Sequence, residues 1–184
     1  MGRREDLADA GVRLTARGGV RALTHRAVDT EAGVPAGSTS YYASTRRELT
    51  ALVVARITEQ LSTELGALRL PEPLDDATVV EVAATFLQGL AERAEVQAAR
   101  LALLLELRDD EALRAPLTGA DPVRAALLAT AEDLLGRIGV DHPRRSAVDL
   151  VGLVDALLLY RVAGVAPVDD RAVLGAYVAG LPRN

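Results

Sequence analysis

The sequence contains no cysteine, no tryptophan and no lysine, and only one phenylalanine, one methionine and two histidines. Without cysteine there is no disulfide scaffold, no thiolate-ligated zinc and no thiol nucleophile. Aromatics make up 3% of the 184 residues, so the core must be built from Leu, Val and Ala, which disfavours an aromatic-rich β-sandwich or barrel. The two histidines, His25 and His142, are far apart and both lie beside loop residues, so no metal site is expected. The longest stretch free of charge, residues 32–45, is rich in Gly, Ser and Thr, and nothing in it would span a bilayer. The chain opens Met1-Gly2-Arg3-Arg4-Glu5-Asp6 without an apolar run, so no signal peptide and no membrane partner are expected, and a cytoplasmic location is. A catalytic set is missing too: acidic pairs such as Asp75-Asp76 and Asp109-Asp110 sit where helix starts need them, and no glycine loop would cradle a phosphate. Neither an enzyme nor a cofactor is expected.

What is present is unevenly distributed. Apolar residues at 49% and charged residues at 26% are ordinary for a globular chain. The net charge is −5, which over the whole chain argues against a nucleic-acid partner. Residues 1–50, however, carry eight Arg against six acids, a net +2, and the remainder carries −7. A cationic front on an acidic body points to an anionic partner for the front alone.

Helical spacing runs through almost every segment and no stretch alternates with period two, so the expected fold is all-α. Leu7, Ala10, Gly11 and Leu14 share one face of a first helix that Gly18-Gly19 ends. Thr24 caps a short second helix that Gly33 terminates. Pro35 fits the first turn of a third short helix reaching about Tyr42. Ser44 or Thr45 caps a long fourth helix broken at Pro71-Glu72-Pro73, with Glu48 three residues after Thr45 at the spacing of a capping box. Further helices are expected from Asp75-Asp76 to about Leu90, over Val96 to Leu107, from Val123 to Ile138 after a break at Gly119–Pro122, over Ser146 to Val162, and over Asp169 to Ala179.

Two short helices joined by a glycine turn form a helix-turn-helix pattern, whose second helix must be slim and polar to enter a major groove. Pro35-Ala36-Gly37-Ser38-Thr39-Ser40-Tyr41-Tyr42 has that character, with Arg26 before it and Arg46-Arg47 after it. The expected DNA-facing residues are Thr24, His25, Arg26, Ala36, Gly37, Ser38, Thr39, Tyr41, Tyr42, Arg46 and Arg47.

The strings Leu23-Thr24-His25-Arg26-Ala27-Val28, Glu31 to Tyr42 and Thr45-Arg46-Arg47-Glu48-Leu49 resemble the DNA-binding region of the TetR-like family of bacterial transcriptional regulators. The resemblance covers about residues 5–52. Two positions depart from the family pattern. Asp29 stands where a small Ala is usual, and could pair with Arg26, cap a neighbour, or loosen the module. Ala43 stands where Phe is usual, and Tyr41 or Tyr42 is expected to refill the space. The resemblance implies a three-helix DNA-binding domain over residues 1–50 and a helical ligand-binding and dimerisation domain over 51–184. It further implies a homodimer, a palindromic double-stranded operator and a small-molecule effector that releases it.

Apolar residues on more than one face of the Ser146–Val162 segment supply the expected dimer contacts: Val151, Val154, Leu158 and Val162, joined by Val173 and Tyr177. Phe86, Leu90, Gln97, Arg100, Leu101, Leu104 and Tyr160, large or polar residues on inward faces, are the expected pocket lining. The alternative reading is a helical adaptor that binds a protein partner through its apolar C-terminal helices.

Overall fold

The computed structural model describes residues 2–118 and 122–183. Ten α-helices form among them: α1 (Arg3–Ala22), α2 (His25–Glu31), α3 (Ser38–Tyr42), α4 (Arg46–Ala67), α5 (Asp76–Glu92), α6 (Ala94–Glu106), α7 (Glu111–Arg114), α8 (Pro122–Arg137), α9 (Pro143–Val162) and α10 (Asp170–Ala179). A short 3-10 turn, Ala115–Leu117, follows α7. Among the described residues no β-strand forms, and no helix is long and apolar enough to cross a membrane.

The caps explain where these helices begin. Thr45 Oγ1 accepts the Glu48 N–H at 3.1 Å while the Glu48 carboxylate accepts the Ser44 N–H at 2.7 Å, so both flanking residues take part in the box at the head of α4. Asp75, Asp110 and Asp169 accept N–H groups of the first turns of α5, α7 and α10. Pro143 occupies the first turn of α9, so that helix starts three residues earlier than its apolar pattern suggests. Helical geometry in α1 is interrupted at Gly19 (φ 67°), where the sequence predicts the end, and resumes to Ala22. The expected break at Gly119–Pro122 falls largely on residues outside those described.

The chain divides into two compact units. The first comprises residues 1–61 and 93–121, the second residues 62–92 and 122–184. In the first, α6 packs on α1, and Leu7, Leu23, Val28, Leu49, Val53, Ile57 and Leu103 are buried together. Gly11 of α1 lies so near α4 that a Cβ there would come within 2.5 Å of Val53 Cγ2. In the second, α9 packs against α5, α8 and α10, and Phe86, Leu87, Leu135, Leu158 and Leu174 are buried. The Tyr177 hydroxyl donates to the Ser146 carbonyl at 2.8 Å, tying α10 to α9. In the first unit α6, although distant in sequence, completes the core beneath α1.

Candidate nucleic-acid interface

The α2–turn–α3 segment is built around one carboxylate. Thr24 Oγ1 accepts the Ala27 N–H at 3.2 Å and starts α2. Gly33 (φ 65°) then reverses the chain, and Gly37 (φ 91°) takes a left-handed conformation just ahead of Ser38. Helix α3 therefore begins at Ser38, and Pro35 belongs to the turn, its carbonyl accepting from Ser38 N–H at 3.1 Å and Ser38 Oγ at 2.6 Å. Gly37 has no side chain with which to cap α3. Asp29 of α2 does so: its carboxylate accepts the Gly37 N–H at 2.7 Å, the Thr39 N–H at 2.8 Å and the Thr39 hydroxyl at 2.6 Å. Burial pushes the Asp29 carboxyl up, but the hydrogen bonds from Thr39 and Gly37 outweigh it and hold the group below its ordinary value. Asp29 thus fastens α3 to α2.

This geometry corrects two expectations. Thr39 is fully buried, its hydroxyl spent on Asp29, so it does not present itself to DNA. The outward Tyr41 does not refill the space beside Ala43, which is itself buried. Tyr41 is 85% and Tyr42 39% exposed, and their rings meet edge to face with centroids 5.1 Å apart. His25 Nε2 lies 2.8 Å from the Ala43 carbonyl, so this half-buried imidazole joins the start of α2 to the end of α3. Thr24, Arg26, Ala36, Gly37, Arg46 and Arg47 are exposed, and Ser38 is half-buried. Arg46 Nη2 donates to the Val20 carbonyl at 3.1 Å, a neutral acceptor that leaves its charge uncompensated there. Arg47 instead forms a two-point ion pair with Asp110. The resulting surface is a narrow polar helix bearing two outward tyrosines, flanked by cations.

The carboxyl-terminal portion decides the family. Residues 74–183 match the model of the tetracycline repressor-like C-terminal domain. The chain belongs to the TetR family. Solved structures agree along nearly the whole length. A TetR-family member from Streptomyces coelicolor is 26% identical, with a TM-score of 0.70 over 96% of this chain and 98% of that one. The multidrug binding protein EbrR, complexed with malachite green, is 28% identical, with a TM-score of 0.66 over 96% and 98%. The fatty acid degradation regulator FadR from Bacillus halodurans shares the fold at 18% identity, with a TM-score of 0.75 over 100% and 99%. The chain matches no curated protein in sequence.

The expected pocket residues of this TetR-family chain divide between its two units. Phe86 and Leu90 are buried on α5, and Tyr160 on α9 is 44% exposed. Gln97 and Arg100 are buried on α6, where Arg100 Nε donates to Gln97 Oε1 at 3.1 Å. Leu101 is half-buried, and Leu104 packs against the core of the first unit.

The expected dimer contacts need correction. Val151, Val154 and Leu158 are buried within the chain. Val162, Val173 and Tyr177 are half-buried. The exposed large apolar side chains of α9 are Val148, Leu159 and Tyr160, with small Gly152 and Ala156 between them. Apolar periodicity reveals that α9 has two apolar faces but not which of them turns inward. Among the residues that shape this candidate interface, Asp29 leaves the faintest mark in the sequence. Only its departure from the usual Ala signals it, and its acceptor role depends on the turn geometry.

Proposed function

We propose that this TetR-family chain is a ligand-responsive transcriptional regulator acting as a repressor, which binds a palindromic operator as a homodimer and is released by a small molecule. The observation that carries the reading is the exposed α3 surface, with Tyr41, Tyr42 and Ser38 on a helix pinned by Asp29 and with Arg26 and Arg46 beside it. Hydroxyls and guanidinium groups so arranged suit phosphate contacts, and the slim helix suits a major groove. DNA binding belongs to residues 1–50, and ligand binding and dimerisation to the rest. The exposed Val148–Tyr160 face of α9 supports self-association, because an apolar stripe between small residues lets a second helix approach closely. EbrR, a multidrug binding protein of the same fold, supports a bulky, largely apolar effector. The protein acts by binding, without catalysis, in the cytoplasm.

The test is reciprocity. An effector found by screening for release of the DNA upstream of the protein's own gene must bind more weakly to the DNA-bound protein, by the same factor by which it weakens DNA binding, about 5- to 150-fold. Phe86→Ala should blunt release while sparing DNA affinity. A compound that binds free and DNA-bound protein equally well would refute effector release.

A further inference from the structure

The cations flanking α3 are not equivalent. Arg46 reaches a neutral carbonyl, whereas Arg47, the next residue, meets a carboxylate. Arg47 Nη1 pairs with Asp110 Oδ2, and Nη2 donates to Asp110 Oδ1 at 3.1 Å, so two oxygens sit on the guanidinium fork as a phosphate would. The carboxylate is held in that position. Its Oδ1 also accepts the Leu113 N–H at 3.2 Å, capping α7. The segment carrying it is moored to α4 a second time, where Thr58 Oγ1 donates to the Pro116 carbonyl at 3.2 Å. Between the two ties, Ala51, Val54 and Ala55 of α4 face Leu113 across a shallow apolar groove. Arg47 itself remains largely exposed, its side chain 58% accessible, so a phosphate can compete for it.

We infer that Asp110 is an intramolecular competitor of the DNA backbone: it clasps Arg47 and must release it before Arg47 can contact a phosphate. The inference rests on the DNA-binding reading above and adds to it a residue, distant in sequence from α3, that sets operator affinity. Because a phosphate contact is blind to sequence, the clasp lowers affinity for every duplex alike. Exposed ion pairs are weak, so releasing this one should raise affinity about two- to fivefold.

The test is a double-mutant cycle read by fluorescence anisotropy, on a mixed-sequence duplex and on the DNA upstream of the protein's own gene. Asp110→Asn and Asp110→Ser both keep a helix-capping side chain while removing the charge, so at least one should fold as the parent does. Each should tighten binding to both duplexes in the parent background. Each should change nothing when Arg47→Gln is already present, since no clasp remains to break. Unchanged affinity in the parent background overturns the clasp, and so does equal tightening in both backgrounds, which would mark Asp110 as a diffuse negative field. If the parent protein binds neither duplex, the DNA-binding reading itself falls, an outcome distinct from both.

Discussion

At the scale of single residues, the most consequential group is Asp29. It is nearly inaccessible, yet its carboxylate is satisfied by three donors, two of them backbone N–H groups ahead of and within α3. An amide keeps the shape but cannot accept from all of them, so Asp29→Asn should cost about 1–3 kcal/mol at neutral pH. The pH dependence follows from the direction of the shift. The folded-state carboxyl is held below its ordinary value of 3.8, so the stabilisation is fully present above that value and disappears as pH falls through the lower, folded-state value. Urea unfolding of parent and variant should therefore show a gap at pH 7 that narrows in strong acid. A gap independent of pH would show that charge is not what Asp29 contributes.

At the scale of elements, helix boundaries were legible at Thr24, Gly33, Thr45 and Asp75, where a cap or a glycine marked them, but not at Gly19 or Pro143, where α1 resumes and α9 starts early. They were less legible where the marker had two uses. Pro35 suits either a first helical turn or a reverse turn, and only the left-handed Gly37 decides for the turn. Candidate site residues could be chosen in the sequence by type but not by direction. Thr39 and Tyr41 look equally suited to DNA in sequence, but Asp29 draws one inward and leaves the other out. Gly11 shows the same limit in packing. Its place on the inward face of α1 was readable, but not the closeness of Val53 that forbids a side chain. Gly11→Ala gains about 1 kcal/mol of helix propensity. Against this, a methyl forced onto a buried, β-branched neighbour costs about 1–3 kcal/mol. The variant should lose stability, seen as a lower denaturant midpoint at unchanged slope. A higher midpoint would mean that α1 and α4 move apart freely.

At the scale of the whole molecule, the proposed reading requires two DNA-binding modules acting as one object on an operator. Leu159→Arg, on the exposed face of α9, should leave helicity intact while shifting sedimentation from dimer to monomer. Operator affinity should then fall about a hundredfold or more, as the advantage of joined half-sites disappears. Leu158→Arg, one residue away but fully buried, should instead unfold the second unit. A parent protein that sediments as a stable monomer would contradict this assembly. The central claim, that the cationic front of an acidic chain grips DNA, is tested most directly by the salt dependence of binding to the DNA upstream of its own gene. Affinity should fall steeply and linearly on a log–log plot, and Arg46→Ala should reduce the slope by about one for each phosphate that the arginine neutralises. Binding that ignores salt, or no binding at any ionic strength, would contradict it.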